Sequence, residues 1–306
     1  MTNLLFVIMC IIYGTTFLAI KLGLNAGLAP FLGAALRFVI AGLILLVFIA
    51  LRGRLRLAKT PSIWREMFII GSLTTGACFA AVYWAENFLS SGIVALLSAF
   101  SPIMIALMYS TAEESYKTPD KLLGFALGGL GVGVVMWPAI NFADLQQTLL
   151  PLFVLFLGEA AYAIGSVRSA RIIKRGDVDV FELNGWQCLF GGLILLVLSV
   201  AFEWNQWAWE PIQAAWLSLA FLTIFGSVVA ASLYFYLMKA VSPVFASLWL
   251  YISPVIAVIV GHLVLNEPIG PHTWIGAAMI LIGVAMAKTK PRLRVQETLQ
   301  PAHECA

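Results

Sequence analysis

Residues 67–85, 122–143, 183–202 and 268–287 run without a single Asp, Glu, Lys or Arg. A hydrocarbon layer about 30 Å thick takes about 20 consecutive apolar residues as a helix. Inside that layer every backbone polar group must be bonded within the segment, which a helix achieves by itself. Uncharged stretches of this length therefore predict membrane helices. The rest of the chain agrees, since 61% of its 306 residues are hydrophobic and only 11% are charged. A soluble domain carries about 25% charged residues. This composition excludes a soluble globular enzyme, a disordered chain and a disulfide scaffold.

Ten apolar runs are read, at 4–22, 31–51, 67–88, 92–111, 121–137, 149–167, 184–202, 214–237, 244–265 and 272–287. Pro30, Pro61, Pro119, Pro138, Pro211, Pro268 and Pro271 punctuate the short connections between them. Ten spans use about 200 residues, which leaves no room for a folded soluble domain. Only Thr2 and Asn3 separate the first run from Met1, so it reads as a retained span rather than a cleaved leader.

The basic residues sort to one side. The connections after the even-numbered runs, together with the residues after the last, hold 16 of the 18 Lys and Arg residues. The odd-numbered connections 138–148 and 203–213 carry Asp144, Glu203 and Glu210 but no base. Both termini are therefore expected on the cytoplasmic side. Trp204, Trp207 and Trp209 fit an interfacial aromatic belt. Residues 288–306 form a polar, Pro-containing cytoplasmic tail, expected to be disordered. Cys10, Cys78, Cys188 and Cys305 have no CxxC spacing, and three histidines show no ligand pattern. No metal and no cofactor are expected.

The two halves resemble each other. At a shift of 152 residues Ser90 meets Ser242, Ser101-Pro102 meets Ser253-Pro254, Gly124 meets Gly276 and Gly131 meets Gly283. A one-residue gap brings Glu114 against Glu267, and at a shift of 149 Tyr13-Gly14 meets Tyr162-Ala163. Five spans per half is an odd number, so the halves lie in opposite orientations. Inverted repeats are a feature of secondary transporters, whose substrate site lies near the bilayer midplane between the halves.

Tyr13-Gly14-Thr15-Thr16-Phe17, Ser101-Pro102, the stretch from Tyr236 to Pro243, Ser253-Pro254, Asn266-Glu267-Pro268 and Gly276 through Gly283-Val284 resemble the EamA-type branch of the drug/metabolite transporter superfamily. The likeness runs over residues 4–287 and rests on order, spacing and duplication rather than on any single motif. It implies an all-α membrane protein of ten transmembrane helices in two inverted five-helix repeats, residues 1–143 and 144–287. It also implies transport of small metabolites or toxic compounds, usually as export. The sequence departs from that pattern where family members often carry Trp and this chain carries Tyr13 and Tyr162, and where Glu113-Glu114-Ser115 replaces a Leu-Gly-Glu ending. Substrate identity does not transfer from any one relative.

Ionisable groups inside spans are costly and usually face a partner or a water-filled path. Arg37, about two turns into its run, is a candidate for holding an anionic group or a structural cation satisfied by carbonyls or by Glu86. Glu86 and Glu159 are candidate proton carriers, because a carboxylate removed from water favours its neutral form. The blander readings are an interfacial helix-end acid and a buried acid in a polar contact. Lys21 is expected to snorkel to the outer interface, and His262 to be a packing histidine. Tyr13, Thr16, Phe79, Tyr83, Trp84, Tyr162, Ser166, Tyr234, Trp249 and Tyr251 are candidates for the substrate path. Tyr and Trp rings offer both π-faces and a hydrogen-bonding tip. Pro102 and Pro254 are candidate hinges. Gly124, Gly128, Gly129 and Gly133 give small-residue spacing for close helix packing or dimer contacts.

The sequence therefore reads as an inner-membrane secondary transporter that exports small organic metabolites such as amino acids by alternating access, with protons and a homodimer as candidate partners. Drug or toxic-compound efflux, or an uncoupled facilitator or exchanger, is the alternative. An enzyme is not expected: there is no HExxH, GxSxG or phosphate loop. No nucleic-acid partner is expected, because the bases lie beside the membrane.

Overall fold

A computed structural model describes residues 2–55, 60–89, 94, 97–109, 118–137, 145–265 and 270–287. The readings placed on Ser90, Glu113-Glu114-Ser115, Asp144, Asn266-Glu267-Pro268 and the tail lie outside the described residues, as do the side chains of Pro254 and His262. The described residues are helical throughout their regular structure. The long elements are α1 (Thr2–Asn25), α2 (Pro30–Leu51), α3 (Pro61–Ala85), α4 (Ser101–Tyr109) and α5 (Pro119–Met136). After them come α6 (Leu145–Arg175), α7 (Val180–Phe202), α8 (Trp216–Ala240), α9 (Trp249–Leu265) and α10 (Pro271–Ala287). One-turn helices, Trp204–Gln206, Trp209–Ala214 and Pro243–Ser247, sit between them. By length and composition, six of the described helices can cross a bilayer: α1, α2, α3, α7 and α8 in full, and α6 over Leu149–Arg175.

Sequence signals explain five of the helix starts. Proline opens α2, α3, α5 and α10, where its missing N–H is no loss and its fixed φ suits a first turn. Asp179 caps α7 by accepting from Phe181 N at 2.9 Å. The end of α6 differs from expectation: the run was read to 167, and the helix continues to Arg175 through Arg168, Arg171 and Lys174. Cations at a helix C-terminus complement its dipole, so this polar last stretch stays helical.

The start of α2 has no cap of its own. Glu203, beyond the end of α7, supplies one. Its two oxygens accept from Phe31 N at 2.8 Å and Leu32 N at 3.0 Å, and it is buried. Ser199 Oγ donates to the same carboxylate at 2.9 Å, and Trp207 Nε1 donates to Ser199 Oγ at 3.0 Å. A residue read only as a loop acid thus ties α2 to α7.

Two helices depart from α geometry in corresponding stretches. Ser72–Ala77 in α3 and Leu222–Ala230 in α8 are π-helical. The proline expectation also shifts. Pro102 lies in the first turn of α4, just after the turn at Ala99–Phe100, where a proline breaks no helical bond. The helical path before Pro254 is broken at Leu248, not at the proline.

The packing contacts come in matched pairs. α1 lies on α9 as α6 lies on α4; α8 lies on α1 as α3 lies on α6; α2 touches α8 as α7 touches α3. The remaining large contacts are α2 on α7 and α5 on α10. Both are backbone-close crossings made by glycine. A Cβ at Gly42 would stand 2.7 Å from Leu189 N, and one at Gly124 would stand 2.8 Å from Gly283 O. A Cβ at Gly129 would meet nothing within 4 Å.

Gly42→Leu is therefore expected to force α2 off α7 and destabilise the protein by about 1–3 kcal/mol, the usual cost of overpacking. Gly129→Ala is expected to leave stability unchanged or raise it by up to about 1 kcal/mol. Thermal melts of the purified protein in detergent check both.

Candidate functional site

A cavity of about 80 Å³ lies within the bundle, walled by α1, α2, α3, α6, α7, α8 and the start of α9, with Ser98 from the residues before α4. Seven of the sequence candidates line it: Tyr13, Thr16, Arg37, Phe79, Tyr162, Tyr234 and Trp249, together with the acid Glu159.

Arg37 is 2% exposed, so its charge is withdrawn from water almost entirely. Its Nε donates to Ser227 Oγ at 2.8 Å, and Nη1 approaches Tyr83 Oη at 3.4 Å. Its Cζ sits 4.6 Å from the Phe38 ring centroid and 5.2 Å from that of Phe79. Gly226 leaves the space for the guanidinium: a Cβ there would lie 2.9 Å from Nη2. Among the described residues, neither a helix carbonyl nor a carboxylate bonds this arginine, in contrast to the structural cation that the sequence allows. Among the described residues it forms no ion pair, and part of its donor set points toward the cavity.

Glu159 is held on a different wall. Ser98 Oγ donates to its Oε1 at 2.5 Å, and Ser101 Oγ donates to Oε2. It is the polar contact expected of a buried acid, made by residues around the start of α4. A cation on α2 and a carboxylate on α6 thus face one cavity without being bonded to each other.

Rings form the remaining wall. Tyr13 stacks on Trp249 with centroids 4.1 Å apart, and Tyr162 faces Tyr234 at 6.2 Å. Tyr234 Oη donates to Ser166 Oγ at 3.1 Å, which places Ser166 behind the ring rather than in the cavity wall. Thr16 spends its hydroxyl on Tyr13 O at 2.7 Å and turns its methyl toward Gly226.

Other candidates stand apart from the cavity. Tyr83 supports Arg37 from behind and touches Phe79 at 6.5 Å between centroids. Trp84 faces a separate outer crevice of about 720 Å³ that it shares with Glu203. Tyr251 donates to Phe125 O at 3.2 Å and packs on Gly128, between α9 and α5. Glu86 is fully buried at the end of α3, and neither of its carboxylate oxygens has a hydrogen-bond partner among the described residues. Lys21 is partly exposed, and its Nζ donates to the Glu86 carbonyl at 2.9 Å, which ties α1 to the end of α3.

The sequence reading missed a polar chain on the cavity wall. Gln187 Oε1 accepts from Thr75 Oγ1 at 2.9 Å and lies 2.6 Å from Thr74 Oγ1, whose single proton it shares with Ile70 O, also at 2.6 Å; both threonines are in the π-helical stretch of α3. Gln187 Nε2 donates to Asn184 Oδ1 at 3.0 Å, and Asn184 Nδ2 donates to Ser227 O and to Ser232 Oγ, each at 3.0 Å. One signal was available. Gln187 and Asn184 interrupt the uncharged run 183–202, and Gln187 stands 150 residues after Arg37.

Comparison with known proteins gives concordant results. A family model described as the EamA-like transporter family matches residues 1–137 and again 149–289. The chain is 27% identical over 277 residues to the Uncharacterized inner membrane transporter YedA of Escherichia coli K12, covering 90% of this chain and 87% of that one. It is 28% identical over 272 residues to Protein PecM of Dickeya dadantii, covering 88% and 86%. It is 26% identical over 279 residues to the Uncharacterized transporter YoaV of Bacillus subtilis, covering 90% and 92%. A solved crystal structure superposes with a TM-score of 0.75 at 20% identity, over 94% of this chain and 96% of that one.

Glu159→Leu is expected to leave the Ser98 and Ser101 hydroxyls buried without their acceptor, at a cost of about 1–3 kcal/mol. Glu159→Gln, which keeps an acceptor, is expected to cost less. Melting of the two variants side by side checks the order.

Proposed function

The chain belongs to the EamA-like transporter family and is a membrane transporter of a small solute; from that premise we propose that it is an inner-membrane secondary transporter exporting small organic metabolites such as amino acids by alternating access. The observation that carries this reading is the central cavity, whose wall joins Arg37, Glu159 and stacked aromatic rings from both halves of the chain. A guanidinium with free donors suits a carboxylate, and a carboxylate suits an amine. The ring wall suits an apolar or aromatic side chain. At about 80 Å³ the cavity is smaller than a typical ligand pocket of about 300–1,000 Å³. Loading a solute therefore requires the bundle to open.

The architecture of this proposal is two inverted five-helix repeats, residues 1–143 and 144–287, with a cytoplasmic tail at 288–306 and both termini inside. The matched helix contacts support the repeats, and α4, α5, α9 and α10 supply the spans beyond the six long ones. The sidedness of Lys and Arg supports the orientation. Pro102 and Pro254 mark the two places where the path bends just ahead of a proline. Gly129 and Gly133 line a crevice with Phe100 and Ile103, and an added Cβ at Gly129 would meet nothing within 4 Å; this small-residue stretch of α5 supports contact with a second copy.

Proton coupling runs through Glu159, with Glu86 as the second candidate. Glu159 is part of the cavity wall, so a proton on it and a solute in the cavity compete or cooperate directly. Glu86 lies off the cavity, where Lys21 and Arg37 are the cations whose charge reaches it. The test is flux in proteoliposomes loaded with labelled phenylalanine, leucine and glutamate, with and without an imposed pH gradient. Gradient-driven movement is expected, lost in Glu159→Gln and retained when only Glu86 is changed. Movement of the same solutes without any effect of the gradient, in wild type and in the double Gln variant, removes proton coupling and leaves a facilitator or exchanger. Movement of bulky cationic dyes in place of amino acids points to drug efflux.

A further inference from the structure

Arg37 and Gln187 occupy related places in the two halves. Each stands seven residues after the start of its helix, Pro30 for α2 and Val180 for α7. At 1.5 Å per residue that is about 10 Å of depth. α2 and α7 cross each other, and in the inverted arrangement their starts lie on opposite faces of the membrane. Arg37 is then about 10 Å below the outer face, and Gln187 about 10 Å above the inner one.

Their partners correspond as well. Arg37 bonds Ser227, in the π-helical stretch of α8. Gln187 bonds Thr74 and Thr75, in the π-helical stretch of α3. Ser227 is 152 residues after Thr75, the shift that aligns the halves. Each bond joins a helix of one half to a helix of the other, and each is fully or almost fully buried. π-helical turns widen the helix, leave backbone groups less tightly paired and recur at functional sites. They are points where a helix changes direction at low cost.

We propose that Arg37–Ser227 and Gln187–Thr74/Thr75 are the two gates of the transport cycle, the first closing the cavity from outside and the second from inside, with the π-helical stretches as the moving parts. Both bonds are made in the structure, and the cavity between them is small. Asn184 links the two. It bonds Gln187 on one side, and Ser227 O and Ser232 Oγ on the other, so α7 is fastened to both moving stretches. The two gates differ in charge. An anionic group entering the cavity competes with Ser227 for Arg37 and loosens the outer gate, whereas the amide at Gln187 offers no comparable charge.

This inference rests on the inverted-repeat reading above, and its test reads accessibility rather than flux. Cys78 lines the cavity and is a free thiol. A membrane-impermeant maleimide is applied to spheroplasts, which expose the outer face, and to inverted vesicles, which expose the inner one. Labelling of Cys78 is located by mass spectrometry. Slow labelling from both sides is expected for the wild type. Arg37→Gln and Ser227→Ala are each expected to speed labelling from outside about tenfold, the scale of losing one charge-assisted bond. Gln187→Leu and the double variant Thr74→Val with Thr75→Val are expected to do so from inside.

Ser227→Ala and the two Val changes are nearly isosteric, so they carry the test if Arg37→Gln does not fold. Opposite sidedness with the faces exchanged supports the gates and overturns only the orientation of the chain. Acceleration on the same face for both pairs overturns the proposal. So does unchanged labelling in all four variants, with a permeant maleimide reaching Cys78 in each.

Discussion

A guanidinium withdrawn from water must be satisfied by whatever the fold brings to it, and Arg37 sets that demand at the centre of this bundle. Ser227, Tyr83 and the rings of Phe38 and Phe79 meet it from α8, α3 and α2 itself. Meeting it requires α2 to lie close against α8, which the glycine crossing of α2 on α7 permits. It also requires an open backbone at Gly226, where a side chain would collide with the guanidinium. The cavity exists because these groups converge without filling the space between them.

The same frame carries different chemistry in its two halves. Arg37 stands where the second half has Gln187, and both reach a hydroxyl in a π-helical turn. Glu159 stands where the first half has Cys10, at the shift that aligns Tyr162 with Tyr13. Glu159 is bonded by Ser101, whereas Ser253, the counterpart of Ser101, is buried with its hydroxyl unpartnered among the described residues. Packing is thus shared between the halves and charge is not.

Much of the framework was legible because helix formation in an apolar layer is a local matter. The runs read at 31–51, 67–88, 121–137 and 272–287 became helices that open at Pro30, Pro61, Pro119 and Pro271, in the connections ahead of them. Tyr13, Arg37, Glu159, Tyr162 and Trp249 were singled out one at a time as costly or amphipathic residues in spans, and they share one cavity. Tyr251 and Trp84 carried the same signal and lie elsewhere, because a ring in a span looks alike whether it faces a cavity, a glycine or a crevice. Gln187, Thr74 and Thr75 carried little signal, since an uncharged polar side chain in a span is cheap enough to be structural. Glu203 was misjudged for a related reason: a helix cap is normally read from the residues beside the helix, and this one comes from 171 residues away.

The sequence by itself determined that the chain crosses a membrane many times, which prolines punctuate its helices, that its halves are alike, and which family it belongs to. Those properties follow from hydrophobicity, proline geometry and residue order, all of which act over one or two turns. Only the tertiary structure decided that Lys21 bonds the Glu86 carbonyl, that Arg37 and Glu159 face one cavity unbonded, and that Gln187 binds the π-helical turn of α3. These depend on which helices cross and at what height. Helix crossings are set by backbone contacts at glycines such as Gly42 and Gly124, between residues far apart in the chain, and no local pattern specifies them.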